Sequence, residues 1–267
     1  MIENFRFDIR SASISGERSG AGSVSLVWGH GLTSSRRLEG ELLGFDWEII
    51  CDVADVIRYD ARGHGDSTVT RDPHGYSWQE LARDQLALAD ALEIERYIAC
   101  GASMGAGTAL HAAVLSPERI SGLVLVIPPT AWETRAAQRA LYLSRADLIE
   151  RGAIDEVIEA ARMRPPPDPF DDAWHERFER NLRAANHHDM ACVLRGAATA
   201  DLPGRDEIRA MKVPTLICAW SGDAGHPLST AEELHRLLPS SHLEIARTAM
   251  DLSEWSNTIA AFVRSVG

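Results

Sequence analysis

Ser103 lies at the centre of the sequence GASMG, residues 101–105, between an apolar run that ends at Cys100 and small residues that continue to Leu115. This succession predicts a strand, a sharp turn and a helix. The turn needs glycine two places before and two places after the serine, because the flanking backbones come too close for side chains. Ser103 would then present its hydroxyl as a nucleophile at a helix N-terminus, and the amide of Met104 would stabilise an oxyanion.

Two other interpretations of the GASMG segment remain open. An ordinary turn with an unreactive serine has the same letters, since two glycines around a serine also occur by chance in loops. A dinucleotide-binding loop fits less well, because the spacing is not G-x-G-x-x-G and no acidic residue ends the next strand. The strand and helix patterns on both sides favour the nucleophile.

Two more loops carry candidate chemistry. The sequence GHGL, residues 29–32, follows an apolar run, and its glycines allow a tight turn. The amide of Leu32 is therefore the second candidate oxyanion donor, and His30 is a further candidate for the oxyanion and substrate-binding site. Asp223 follows the apolar run 215–220, where an acid that orients a catalytic base is expected. An Asx turn is the structural alternative for this aspartate.

Taken in order, these loops and the sequence DARGHGDS at residues 60–67 resemble the α/β-hydrolase superfamily. The resemblance covers nearly the whole chain and is closest to the lidded esterase, enol-lactonase and epoxide-hydrolase-like branch. It implies an α/β-hydrolase fold, with a mostly parallel central sheet flanked by helices and a helical lid insertion. It also implies Ser103 as nucleophile, Asp223 as acid, an oxyanion amide from the GHGL loop, and a mainly structural role for residues 60–67.

The histidine that should complete the triad is missing from its usual place. Members of the family carry Gly-His shortly after the last strand, but here the apolar run 243–246 is followed by RTAMDLSEW. His242 is the last histidine of the chain, and it lies at the start of that run, away from Ser103. Without a general base, a serine hydroxyl is a poor nucleophile at neutral pH.

His226 is the first replacement to consider, because it lies on the loop of Asp223, which could orient it. A polar residue with a purely structural role before Pro227 is the alternative. The second candidate is the pair His187-His188, which precedes Asp189 and begins a helical lid segment after Asn186. Adjacent histidines on a helix point in different directions, so at most one would face the site, and solvated or capping histidines are the alternative.

The remaining pattern predicts the frame around these loops. Strands are expected at residues 24–28, 53–59, 97–100, 123–127, 215–220 and 243–246, and an edge hairpin at residues 5–14. Ser77 and Ser229 each precede a glutamate by three residues and are predicted helix N-caps. From residue 130 to 204 the strand signals stop, and the sequence RPPPDP at residues 164–169 divides a helical segment into two pieces.

We therefore predict a hydrolase core at residues 1–129 and 205–267 and a helical lid at residues 130–204. Trp132 stands where the chain enters this lid, so it is predicted either to line an apolar substrate pocket or to pack the lid itself. The lid is rich in Ala, Leu and Trp, and it offers a surface for a homodimer.

Composition excludes several classes of function. The 267 residues carry a formal net charge of -12, which repels nucleic acids and anionic membrane surfaces. An apolar leader and an 18-residue apolar run are both absent from the sequence, so a cytoplasmic protein is expected. No cofactor motif or metal-ligand spacing stands out, so we predict no cofactor, no metal, and a small-molecule substrate as the partner.

Three hypotheses about function follow. The leading one is a serine hydrolase of a small ester, thioester or lactone, with Ser103 as nucleophile, Asp223 as acid and His226 as base. The second is a lyase, isomerase or cyclase that uses the oxyanion hole without a covalent step. The third is a non-catalytic small-molecule binding protein whose triad has decayed.

Overall fold

The computed structural model describes residues 2–68, 70, 72–171, 173–185 and 187–267. Within them a central sheet has the strand order β1-β2-β4-β3-β5-β6-β7-β8. The strands are β1 Glu3–Ile9, β2 Ala12–Gly20, β3 Ser25–Gly29, β4 Asp55–Tyr59, β5 Tyr97–Ala102, β6 Ile120–Val126, β7 Thr215–Trp220 and β8 Ser241–Ala246. Strand β2 pairs antiparallel with β1 and β4, and every pair from β4 across to β8 is parallel. The predicted α/β fold with a mostly parallel sheet and an edge hairpin is confirmed.

The central strands are apolar because both faces of the sheet are covered. All six residues of β5 are buried. Their side chains alternate between the faces, so Tyr97 and Ala99 join one apolar cluster and Ile98 and Cys100 join the other. This two-sided burial holds β5, and with it the following turn, at the centre of the molecule.

Twelve α-helices surround the sheet within the described residues. They are α1 Arg36–Leu43, α2 Trp47–Cys51, α3 Trp78–Ala91, α4 Met104–Leu115, α5 Arg135–Glu150, α6 Ile154–Arg162, α7 Ala173–Ala184, α8 His187–Ala197, α9 Arg205–Ala210, α10 Leu228–Leu237, α11 Ala249–Ser253 and α12 Trp255–Val266. Helices α3, α4 and α10 cover one face of the sheet, and α1, α2 and α12 cover the other. None of the helices in this part of the chain has the length and apolarity needed to cross a membrane.

Helices α5 to α8 form an insertion between β6 and β7. They enclose an apolar core of their own, which we call the insertion cluster. Its buried members are Tyr142, Ala146, Ile149, Ile154, Val157, Ile158, Leu182, Met190, Ala191, Leu194, Ala197 and Ala198. Leu32 and Phe178 pack against this cluster, so the insertion touches the loop that follows β3.

Two predictions about helices were wrong in detail. The insertion contains four helices and not two pieces, and one of the two additional breaks lies at Gly152, which takes a left-handed conformation (φ 74°) between α5 and α6. Ser229 lies inside α10, whose N-cap is Pro227. The N-cap at Ser77 is confirmed, since its hydroxyl accepts a hydrogen bond from the Glu80 amide at 3.3 Å.

Parallel pairing brings three loops to the same edge of the sheet. Gly29 at the end of β3 is in register with Gly101 of β5, and Val126 of β6 is in register with Cys218 of β7. The segments that follow β3, β5 and β7 therefore leave the sheet side by side. They are the three segments in which the sequence places its candidate chemistry.

Candidate active site

Ser103 occupies a strained turn between β5 and α4. Its backbone has φ 51° and ψ -107°, a combination that side chains rarely adopt. A β-carbon at Gly105 would lie 1.9 Å from the carbonyl oxygen of Gly29, and one at Gly101 would lie 2.4 Å from the same atom. Only glycine fits at these two positions, so the sharp turn predicted from the sequence is present.

A continuous chain of hydrogen bonds connects Ser103, His226 and Asp223. The Nε2 atom of His226 lies 2.8 Å from the Ser103 hydroxyl, and its Nδ1 atom lies 2.6 Å from Oδ2 of Asp223. A carboxylate only accepts hydrogen bonds, so Nδ1 of His226 carries the proton. Nε2 is then free to accept the hydroxyl proton of Ser103, which is the geometry of a general base.

Asp223 is held as an anion. Burial raises the pKa of its carboxyl group, but the neighbouring His226 and three hydrogen bonds outweigh burial and bring that pKa well below its usual range. Besides His226, the donors are the Gly225 amide at 2.7 Å and the Trp220 indole at 3.1 Å. A fixed anion beside Nδ1 orients the imidazole and stabilises it when it takes up a proton.

Asp223 and His226 lie on one short loop, three residues apart. The loop turns sharply at Gly222, which has φ 80°. The helical insertion braces it at two points, since the Asp168 amide donates to the Ser221 carbonyl at 3.0 Å and the Thr130 amide donates to the Gly225 carbonyl at 3.2 Å. These two contacts hold the loop on either side of Asp223 in the sequence.

The segment after β8, where the family keeps its histidine, has a different role in this chain. Thr248 is the N-cap of α11, with its hydroxyl accepting from the Asp251 amide at 3.2 Å. The Asp251 carboxylate accepts in return from the amides of Arg247 and Thr248, both at 2.9 Å. The side chains of Thr248 and Asp251 therefore cap the N-terminus of α11.

The loop after β3 lies against Ser103. A β-carbon at Gly31 would be 3.8 Å from the β-carbon of Ser103, so Leu32 follows directly beside the nucleophile turn. Met104 begins α4, where backbone N–H groups have no partner within the helix. The two amides predicted to form an oxyanion hole, Leu32 and Met104, therefore belong to segments that flank the Ser103 hydroxyl.

Glu39 supports the loop after β3 through hydrogen bonds of its side chain. The sequence did not indicate this role. Its side chain is only 2% exposed. One carboxyl oxygen accepts from the Gly31 amide at 2.7 Å, and the other accepts from the indole N–H of Trp28. Burial raises the pKa of Glu39 to about 8, although these hydrogen bonds act against it. Glu39 ties α1 to the backbone that precedes the Leu32 amide.

Substituting Glu39 by glutamine is expected to change how stability depends on pH. The raised pKa means that the folded state keeps a proton that the unfolded chain releases at about pH 4. The contribution of Glu39 to stability is therefore complete at low pH and is lost as the pH rises toward about 8. Relative to Glu39→Gln, the free energy of unfolding of the wild type in urea should fall by a few kcal/mol between about pH 5 and pH 8.5.

The control for this measurement is Glu118→Gln, since Glu118 is exposed. This variant should follow the wild type at every pH. Parallel curves for the wild type and Glu39→Gln would contradict the expectation, because they would mean that the buried carboxyl group has the same pKa in the folded and unfolded chains.

His30 is buried beneath the loop and does not face the site. Its Nδ1 atom lies 2.8 Å from the Gly31 carbonyl, and its Nε2 atom accepts from the Ala61 amide at 3.0 Å. Burial lowers the pKa of His30 to about 4, so the ring is neutral near pH 7. With both ring nitrogens bound to backbone, His30 positions the loop and is not available to a substrate, contrary to the expectation from sequence.

Trp132 packs the base of the insertion. Its indole donates to the Pro203 carbonyl at 3.1 Å, and the guanidinium of Arg205 stacks 4.4 Å from the centre of the ring. Of the two proposed roles, these contacts favour packing of the insertion over lining a pocket. His187 begins α8 as predicted, and its Nε2 atom lies 3.0 Å from the Leu182 carbonyl. Asn186 and the side chain of His188 lie outside what the structure describes.

The loop at residues 60–67 has structural contacts. Asp60 accepts from the Arg36 amide at 2.8 Å and pairs with its guanidinium, while Arg62 pairs with Asp84 at 2.8 Å. All four side chains are buried. Within the described residues, no three His, Cys, Asp or Glu side chains are grouped so that they could hold a metal ion.

One family model covers most of the chain. Residues 28–249 match the model described as alpha/beta hydrolase fold. The chain belongs to the α/β-hydrolase family. This α/β-hydrolase is 28% identical over 205 residues to 3-oxoadipate enol-lactonase 1 of Acinetobacter baylyi, which covers 76% of this chain and 72% of the relative.

Solved structures agree on the fold. The enol-lactonase from Burkholderia xenovorans LB400 is 21% identical to this α/β-hydrolase, with a TM-score of 0.76 and coverage of 98% of both chains. A thermophilic esterase from Thermogutta terrifontis is 20% identical, with a TM-score of 0.79 and coverage of 99% of both chains. The helical insertion is thus included in the shared architecture.

Proposed function

We propose that this α/β-hydrolase cleaves a small carboxylic ester, thioester or lactone through an acyl-enzyme on Ser103. The observation that carries the proposal is the unbroken hydrogen-bonded chain from the Ser103 hydroxyl through His226 to Asp223, with links of 2.8 and 2.6 Å. In a binding protein that had lost its catalytic triad, the acid, the base and the nucleophile would not be expected to keep this order and these distances.

The reaction follows from the geometry. His226 takes the hydroxyl proton of Ser103 at Nε2 while the serine oxygen forms a bond to the carbonyl carbon of the substrate. The negative charge that develops on the carbonyl oxygen is stabilised by the amides of Leu32 and Met104 and by the N-terminus of α4. His226 then gives the proton to the leaving oxygen or sulfur, and the carbonyl–leaving-group bond breaks.

Water completes the cycle by the same route. His226 accepts a proton from the water molecule as it attacks the acyl carbon, and it returns this proton to Ser103 as the acyl–serine bond breaks. Asp223 remains ionised throughout and stabilises the imidazolium each time it forms. No step requires a metal or an organic cofactor.

The relatives support the choice of bond. The curated relative from Acinetobacter baylyi is named as an enol-lactonase, and a putative carbamate hydrolase of Klebsiella pneumoniae is 28% identical over 192 residues. Both names describe hydrolysis at a carbonyl carbon. Ser103 is only 8% exposed beneath the adjoining loops, which favours a small substrate over a polymer.

A direct test is to treat the wild-type protein with a fluorophosphonate and determine the intact mass, beside a panel of short esters, thioesters and lactones. The proposal expects the addition of one phosphonyl group and turnover of at least one panel member. A folded protein with neither labelling nor turnover would contradict it and favour the binding-protein hypothesis.

Labelling without turnover of any carboxylic acid derivative would point to the second enzyme hypothesis. One relative bears on that case, the putative 2-succinyl-6-hydroxy-2,4-cyclohexadiene-1-carboxylate synthase of Bacillus subtilis, 24% identical over 237 residues. An activated serine would then serve as a proton carrier for a non-hydrolytic reaction.

A further inference from the structure

Arg145 on α5 places its guanidinium against an aromatic ring of the helical insertion. Its side chain is partly buried, and its guanidinium stacks 5.8 Å from the centre of the Phe178 ring on α7. Within the described part of the chain, this guanidinium forms no hydrogen bond and no ion pair with an acid. Burial of a cation without an anionic partner is costly, so an arrangement of this kind needs a reason.

The surroundings of Arg145 increase the free-energy cost of its positive charge. Burial lowers the pKa of Arg145, the nearby Tyr142 acts in the opposite direction, and the positive charge of Arg164 lowers the pKa further. An arginine nevertheless keeps its proton in a protein. The site is therefore a partly desolvated cation with a second cation as its charged neighbour.

A shortage of acids does not explain this, since the chain has 39 acidic and 27 basic residues. Other arginines of the insertion form ion pairs with acidic residues. Arg183 pairs with Asp155 at 2.7 Å, and Arg195 pairs with Asp147 at 2.7 Å. Asp147 is only two residues from Arg145 along α5, yet it turns outward to Arg195.

Arg145 belongs to the insertion, which reaches the loop beside Ser103 through Leu32. It is one helical turn from Tyr142 of the insertion cluster, and Phe178 beneath its guanidinium packs against the same cluster. Leu32 also packs against this cluster. Leu32 also follows Gly31, whose β-carbon position is 3.8 Å from that of Ser103.

We propose that Arg145 binds a carboxylate on the acyl part of the substrate, so that the preferred substrates are esters, thioesters or lactones derived from dicarboxylic acids. The guanidinium would hold the distal carboxylate through two parallel N–H donors while the reacting carbonyl lies at Ser103. This inference rests on the proposed function and adds the substrate class to it.

The test compares two substrates that differ in one charged group, the mono-p-nitrophenyl ester of glutaric acid and p-nitrophenyl pentanoate. Arg145→Met should raise KM for the glutarate ester by about 10- to 100-fold, with little change in kcat. KM for the pentanoate should change less than about threefold. Arg145→Lys should recover part of the loss, since a point charge remains.

The matched control is Arg139→Met, an exposed arginine on the same helix. This variant should leave KM for both esters unchanged. Equal effects of Arg145→Met on the charged and the neutral ester, or no effect on either, would overturn the proposal, because the residue would then act through packing alone.

Equilibrium binding separates this proposal from the proposed function. Glutarate should bind the wild type in isothermal titration calorimetry, and Arg145→Met should weaken that binding by about 10-fold or more. If neither ester is hydrolysed but this difference is found, the proposed function fails and the carboxylate site stands. If glutarate does not bind the wild type, the carboxylate site is wrong whatever the hydrolytic activity.

Discussion

Replacing Ser103 by alanine is expected to lower kcat for a hydrolysed ester by about five to six powers of ten and to abolish fluorophosphonate labelling. The Ser103 hydroxyl lies 2.8 Å from Nε2 of His226, and alanine leaves that base with no oxygen to activate. The oxyanion amides remain, so a residual rate of about 10³-fold over water should persist. The measurements are steady-state hydrolysis and intact mass after labelling.

Two further observations make the Ser103→Ala result specific. Ser265→Ala, at an exposed position of α12, should keep both the rate and the labelling of the wild type. Thermal unfolding of Ser103→Ala should be cooperative, because the substitution removes one oxygen and keeps the glycines that form the turn. Full hydrolytic activity in Ser103→Ala would be incompatible with an acyl-enzyme at this residue.

Much of the core could be predicted from sequence because the determining signals are local. The steric demand of the turn at Ser103 requires glycine at residues 101 and 105, and both glycines are visible in the sequence. The buried strands are short apolar runs between loops, and their order follows from right-handed parallel connections. The predicted start of α10 was wrong by two residues, because Pro227, not Ser229, occupies its N-cap.

The contacts of His226 with Ser103 and Asp223 could be suggested from the sequence but not established from it. His226 lies three residues from Asp223 in a loop, where no helical or strand period determines which side chains meet. Their contact depends on the turn at Gly222 and on supports from Asp168 and Thr130, which are distant in sequence. Such long-range contacts leave no local pattern.

The inward positions of Glu39, which is buried, and of Arg145, which is partly buried, could not be predicted from the sequence either. Glu39 and Arg145 each lie on an ordinary amphipathic helix, where a charged residue is normally expected on the solvent side. Only the packing of those helices against the β3 loop and against α7 turns the two side chains inward. The function of a charged residue on a helix therefore has to be taken from the folded molecule.

His226→Ala is expected to have an effect close to that of Ser103→Ala, with kcat lower by about four to six powers of ten and labelling of Ser103 lost. His226 is the histidine that the Ser103 hydroxyl contacts, and the segment after β8 has Thr248 and Asp251 engaged in capping α11. Deletion of the imidazole therefore leaves Ser103 without a proton acceptor. The same rate and mass measurements apply.

Chemical rescue distinguishes the loss of a base from a collapse of the site. The His226 side chain is 22% exposed, so its removal opens a space that solvent can reach. Added imidazole should therefore restore hydrolysis by His226→Ala by about 10- to 100-fold, and it should not restore hydrolysis by Ser103→Ala. The control is His187→Ala, which should keep wild-type rates because His187 contacts the Leu182 carbonyl and not the site.

The outcome of His226→Ala decides whether the triad of this α/β-hydrolase is complete within one loop. Within the part of the chain that the structure describes, His226 is the histidine that Asp223 contacts, so an orienting acid without this base would have no catalytic purpose. Unchanged labelling in His226→Ala would therefore contradict the proposed catalytic roles of both His226 and Asp223. Loss with imidazole rescue would mean that a loop of seven residues, 221–227, supplies both partners that the family normally takes from two separate strand ends.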